Sequence, residues 1–357
     1  MITGPNPASA GEEPGRPKIP PAVSGVSRRA ILKGGALAGA AALGGAALGL
    51  GGQRKDLLLP RAEISDIHGA GGTGPIRDIR PDGFDPTAFA SRFDGGRVSR
   101  LPGGQTLREY DFVALDREIE IAPGVWFPAW TYNGGVPGPT IRATEGDRIR
   151  VLFHNAGSHS HTIHFHGFHP ADMDGVFETV EPGQRFLYEF DAEPFGLHLY
   201  HCHTTPLRRH IHKGLYGAFI VDPPGGRPPA REYVLVMNGF DTDFDGGNEF
   251  YAANTVAFHY MRHPLSAIVG ERTRLYVVNV LEFDLINSLH VHANFFHVYR
   301  TGTRLEPDDF TDTLMFCQGE RHILELDFKH PGRVMFHAHQ SEFAELGWMG
   351  FFDVRGA

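Results

Sequence analysis

Apolar and polar side chains alternate over residues 109–122 and again over residues 148–154. A period of two marks a strand with one face turned to a core. Between these runs, Val136-Pro137-Gly138-Pro139-Thr140-Ile141 reads as a turn entering a strand, and Glu145-Gly146-Asp147 as a second turn. Strands are expected from about Leu101. The segment 221–229 carries Pro223, Pro224, Pro228 and Pro229, the composition of a short, stiff linker. Strands resume at Glu232 and run to the end. Upstream, residues 54–100 keep no sustained period and are expected to form an extended arm. Residues 1–26 are rich in Pro, Gly and Ala, have little to bury, and read as disordered. The pattern predicts an all-β chain with a leader over 1–53, an arm over 54–100, and domains over 101–224 and 230–357.

Composition sharpens this picture. The 357 residues include 45 Gly, 26 Pro and 27 Phe, which suits many short strands joined by turns. Net charge is -9, with 33 Lys+Arg against 42 Asp+Glu, and no basic block lies outside the N-terminus. That excludes nucleic acid as a partner. Arg28-Arg29 before a mildly apolar Gly/Ala/Leu stretch resembles a twin-arginine (Tat) export signal, cleaved or kept as an anchor. The protein is then expected to be periplasmic, cell-surface or extracellular. Two Cys cannot build a disulfide framework. Cys317, in the apolar run Leu314-Met315-Phe316-Cys317, reads as a small buried residue.

The chemistry lies in the 21 His. In a strand, successive side chains point to opposite faces. Within Leu199-Tyr200-His201-Cys202-His203, the two imidazoles would share one face and Cys202 would take the other. One strand then feeds two metal sites, joined covalently through its peptide links. The arrangement repeats. Gly183-Gln184-Arg185 stands 18 residues before His201, and Gly319-Glu320-Arg321 stands 18 before His337. His201-Cys202-His203 is matched by His337-Ala338-His339, and His164-Phe165-His166 by His290-Val291-His292. Duplicated domains follow from this. Eight imidazoles suit three copper ions with positions open to a small molecule. His161, an odd step before His164, would face the Cys202 side. Asn287 and Ala338 occupy the matching places in the second half, which therefore lacks a thiolate site. His198, His210 and His212 are candidates for a further imidazole beside Cys202.

His164-Phe165-His166-Gly167, His201-Cys202-His203 and His290-Val291-His292 resemble motifs of the multicopper oxidases, specifically the small two-domain, laccase-like members. The resemblance covers about residues 105–357. It implies two tandem cupredoxin-like Greek-key β-barrel domains and four coppers per chain. By this resemblance His161, Cys202 and His210 hold type 1 copper, with Leu215 at the axial position. Leucine offers no donor, which should raise the potential. His164 and His290 would hold type 2 copper. His166, His201, His203, His292, His337 and His339 would hold the type 3 pair. Asp174 resembles the acidic proton relay of the family, and Glu342 and Glu345 are further candidates. His212 reads as a surface polar residue beside the site.

The resemblance further implies one-electron oxidation of a small reducing substrate, four-electron reduction of O2 to water, and a homotrimer with trinuclear centres between subunits. The seven Met do not cluster, which argues against a dedicated Cu(I) oxidase. Copper nitrite reductases share the two-cupredoxin trimer. They need no second His after the Cys, and typically carry an aspartate where this chain has His164. An electron carrier would need only the thiolate site.

Overall fold

The structure, a computed structural model, describes residues 83–357. The expected leader and most of the expected arm lie outside the described residues. The described end of the arm differs from expectation. It holds a helix, α1 (Pro86–Ala90), and a strand, β1 (Arg97–Arg100). Asp85 caps α1 by accepting the N–H groups of Thr87 and Ala88, and Pro86 opens the helix where no donor is needed. One turn of helix leaves no periodic trace, so the sequence reads as an extended arm there.

The first half continues with β2 (Thr106–Ala122), β3 (Val125–Tyr132), β4 (Ile141–Thr144), β5 (Arg148–Asn155), β6 (His164–Phe165), β7 (Arg185–Asp191), β8 (Gly196–His201), α2 (Leu207–His212) and β9 (Tyr216–Asp222). The second half contains β10 (Arg231–Phe240), β11 (Phe250–Ala253), α3 (His259–Arg262), β12 (Leu265–Ile268), β13 (Arg272–Asn279), β14 (Ile286–Val291), β15 (Phe296–Arg300), β16 (Asp309–Thr311), β17 (Thr313–Cys317), β18 (Arg321–Asp327), β19 (Gly332–His337), α4 (Ser341–Glu345) and β20 (Met349–Arg355).

The two halves repeat in topology as well as in motif. In the first, β2, β5 and β7 are neighbours in one sheet, and β4-β9-β8-β6 form the other. In the second, β10, β13 and β18 are neighbours, and β12-β20-β19-β14 run in the matching order, with β17 at the edge. β2 runs parallel to β5, and β10 parallel to β13. The architecture is that of tandem cupredoxin-like domains with curled sheets. Each half has its own apolar core, around Phe112, Tyr132 and Phe165 in the first and Leu275, Phe296 and Phe336 in the second. A third cluster joins the halves, with Phe127, Leu197 and Ile220 packed among Val236, Phe240 and Tyr276.

A charged seam lies across the linker. Arg142 on β4 bonds Asp222 at 2.7 Å and Glu232 at 2.6 Å. Arg274 on β13, 2 % exposed, bonds Glu232 at 2.9 Å and Glu325 at 2.7 Å. Cys317 corrects its expectation. β17 alternates, with Leu314 and Phe316 buried, while Met315 and Cys317 are exposed. Four apolar letters in a row concealed a strand with one face in water.

Candidate metal centre

Strand β8 splits its side chains between two sites. His201 is the last residue of the strand and pairs directly with His164 on β6. Cys202 follows, fully buried, and points the other way. Its sulfur lies 3.3 Å from His210 Nδ1 and 3.9 Å from His161 Nδ1, and the two nitrogens are 3.2 Å apart. These spans let one ion touch all three donors. The Thr162 N–H donates to the sulfur at 3.4 Å. Burial lowers His161 to about 3 and His210 to about 4, so both rings stand neutral and ready to ligate. Burial also raises the Cys202 thiol, so a metal would have to displace its proton. His161 Nε2 is buried without a protein partner, while its Nδ1 is the nitrogen turned toward Cys202. Leu215 is fully buried in the same apolar cluster as Cys202; its carbonyl accepts the Cys202 N–H at 3.0 Å and its N–H donates to the His210 carbonyl at 3.3 Å.

The remaining candidates separate clearly. His198 Nε2 bonds the Pro194 carbonyl at 2.8 Å, away from the sulfur. His212 is not a surface residue. It is 6 % exposed, accepts the Asp241 N–H at Nε2 (3.0 Å), and meets Phe127 and Phe283 edge-on. On α2, positions 210 and 212 point to different sides, so only His210 reaches Cys202. The sequence could not show that a one-turn helix, rather than a loop, carries these residues.

On the other face of β8, His164, His166, His201 and His203 gather. His166 Nε2 and His201 Nε2 face each other at 3.2 Å, and the His164 ring centre lies 5.5 Å from that of His203. The second half builds a matching set. His292 Nε2 and His337 Nε2 are 2.9 Å apart, and the His290 ring lies 5.4 Å from that of His339. His290 pairs with His337 across strands as His164 does with His201.

Supporting bonds repeat too. His164 Nδ1 lies 2.8 Å from the Asp174 carbonyl and 2.9 Å from Asp174 Oδ1. His290 Nδ1 meets the Asp312 carbonyl at 2.9 Å. His201 Nδ1 meets the Cys202 carbonyl at 3.0 Å, and His337 Nδ1 the Ala338 carbonyl at 2.6 Å. In each case Nδ1–H donates, which fixes the tautomer and leaves Nε2 free as a ligand. The His203 N–H donates to Thr162 Oγ1 at 3.0 Å, and the His339 N–H to Ser288 Oγ at 2.7 Å. Burial lowers His166 to about 2 and His201 to about 4, and also lowers His164, His292 and His337.

Thr162 and Ser288 escaped the sequence reading. Each stands two residues before the first His of its pair, so aligning the halves would have revealed them. Asp312 left no such signal, because it lies much farther beyond His290 than Asp174 lies beyond His164. Asp174 reaches this centre, with His169 Nε2 3.5 Å from its Oδ1. The turn carrying it needs glycine next. Gly175 has φ +71°, and a Cβ there would meet the Ile163 carbonyl at 2.0 Å. Glu342 and Glu345 are exposed on α4.

Among the described residues, no group of three or more ligand atoms draws on both halves. The sets around His166 and His292 are separate within one chain.

Residues 116–226 and 227–357 each match a family model described as multicopper oxidase. A solved multicopper oxidase is 58% identical, with a TM-score of 0.75, covering 76% of this chain and 97% of its own. A blue copper oxidase from Nitrosomonas europaea is 27% identical, with a TM-score of 0.64, over 70% of this chain and 86% of its own. The copper-containing nitrite reductase of Neisseria meningitidis is 28% identical over 265 residues, 68% of each chain. Two family matches that together cover residues 116–357, a close structural relative and the duplicated imidazole sets agree: the chain belongs to the multicopper oxidases.

Proposed function

We propose that the protein is a laccase-like oxidase. It couples one-electron oxidation of a small phenol or aromatic amine to four-electron reduction of O2 to water. The observation that carries this reading is that both imidazole sets are complete. His164, His203 and His339 are all present, where a nitrite reductase would need fewer. The donor set fits copper: a buried thiolate with two neutral Nδ1 atoms on one side of β8, and facing pairs of free Nε2 atoms on the other. Copper held there would supply the one-electron acceptor and the multi-electron site for O2, four ions per chain.

The residues divide the remaining work. His161, Cys202 and His210 hold and bury the acceptor, while the peptide links from Cys202 to His201 and His203 join it to the oxygen site. Asp174 Oδ1 lies between His164 Nδ1 and His169 Nε2 and is partly open to solvent. We assign it the proton relay in preference to the exposed Glu342. The separate imidazole sets support assembly between subunits. Exposed aromatic side chains lie around both, Phe168 and Phe177 by the first and Phe295 and Phe310 by the second. A head-to-tail ring of three would bring unlike sets together. Export before use remains part of this reading, carried by Arg28-Arg29.

The nitrite reductase relative supports a second reading, and one experiment decides between them. Copper-loaded protein is assayed for metal content, absorption and EPR spectra, and turnover of O2 and nitrite. Four coppers per chain with O2 consumption are expected. Two coppers per chain with nitrite turnover would make it a reductase.

A further inference from the structure

Charge around Trp130 runs against the average of the chain. Net charge is -9, yet residues 203–215 contain Arg208, Arg209 and Lys213 and no carboxylate. Lys213 is 8 % exposed. Its ammonium lies 5.1 Å from the ring centre of Phe127, 5.8 Å from that of Trp130 and 5.1 Å from that of Phe244. The Arg209 guanidinium lies 5.3 Å over Trp130. Among the described residues neither cation has an ion-pair partner. Burial lowers Lys213 to about 8, which still leaves it a cation at neutral pH. The carboxylate whose field reaches it is Asp116, exposed, with Oδ2 already accepting the Ser158 N–H at 3.0 Å. Asp243 and Asp245, on either side of Phe244, turn to the N–H groups of Asp245 and Gly247 at 3.2 and 3.0 Å. Trp130 itself touches both imidazoles of the thiolate site, with ring centres 5.2 Å from His161 and 4.8 Å from His210.

We propose that the edge of Trp130 beneath the exposed Arg209 is the docking site of the electron donor, and that this donor is a small anion such as a phenol bearing a carboxylate or sulfonate. The inference rests on the reading of the Cys202 site as the electron acceptor. A buried cation without a counter-charge gains more from an anionic ligand than a solvated one does. Two cations facing a low-dielectric aromatic floor also focus the field on an incoming anion. Trp130 is 5 % exposed and Lys213 8 %, with the exposed Arg209 above them, so only a narrow edge is open and it suits a small molecule better than a broad protein surface. Donation is balanced simply. The phenol oxygen gives up one electron to the metal held by His161, Cys202 and His210, its proton goes to water, and a phenoxyl radical leaves.

The test separates binding from turnover. Calorimetry on copper-loaded protein measures hexacyanocobaltate(III), a redox-inert trianion, at low and high ionic strength. Binding that salt weakens is expected, with affinity about fivefold or more lower in Arg209→Gln and in Lys213→Gln. No binding, or equal binding by both variants, overturns the proposal. Anaerobic stopped-flow then follows bleaching of the type 1 colour by hexacyanoferrate(II) and by hexaammineruthenium(II). Arg209→Gln, an exposed change, should slow the anionic complex severalfold and spare the cationic one. Equal slowing of both would place Arg209 in tuning the metal rather than in docking. Neither measurement involves O2 or nitrite, so failure of the oxidase reading leaves this result intact. Absence of the type 1 colour would count against that reading alone, with calorimetry still deciding on the anion.

Discussion

Cys202 and His201 are adjacent, yet one sulfur faces His161 and His210 while the neighbouring ring faces His164 and His166. Cys202→Ser should therefore abolish the blue colour and substrate oxidation while copper still fills the imidazole sets, as read by metal analysis and EPR. Loss of all copper from a folded variant would contradict the two-faced strand. Leu215 has no donor atom to offer, so Leu215→Met should lower the type 1 potential in a redox titration; no change would place another group on that axis. This division was legible in the sequence because strand parity is rigid over three residues. Parity failed where the backbone was not a strand. His212 was misplaced because α2 turns it into an aromatic pocket. Cys317 was misread in the other direction, since its strand exposes alternate residues whatever their hydropathy.

Among the elements, β4, β10 and β13 meet at the seam around Glu232. Arg274 is buried with Glu232 and Glu325, and Tyr276 donates to Glu232 at 2.7 Å. Removing one member of such a network leaves uncompensated charge in the interior. Arg274→Met should cost about 3–5 kcal/mol of unfolding free energy, measured by denaturant titration. A loss within about 0.5 kcal/mol would mean the carboxylates find water instead. The linker was legible from its prolines, but the seam was not. Its partners are distant in sequence, and nothing in a charged residue on a strand indicates which face will be covered. Sheet order could be anticipated only through the repeat, whose matching Gly-x-Arg turns enter matching strands.

At the scale of the molecule, the halves share an apolar cluster but not an imidazole set. In the proposed ring, each oxygen site takes one set from each of two neighbouring chains. Mixing inactive His166→Ala and His339→Ala proteins under conditions of subunit exchange should then restore part of the oxidase activity. Some interfaces in mixed rings receive both intact sets. No recovery despite proven exchange would place the site within one chain. Assembly would also make metal content and ring stability mutually dependent.

The pinning of His201 and His337 has a consequence for how the duplicated chain could diverge. Each ring is oriented by the main-chain carbonyl of the residue that follows it, Cys202 in one copy and Ala338 in the other. A main-chain acceptor is the same whichever codon specifies the side chain. Position 338 could therefore lose or gain sulfur without turning its neighbour's ring. One copy could lose its thiolate site while its imidazole set stayed intact.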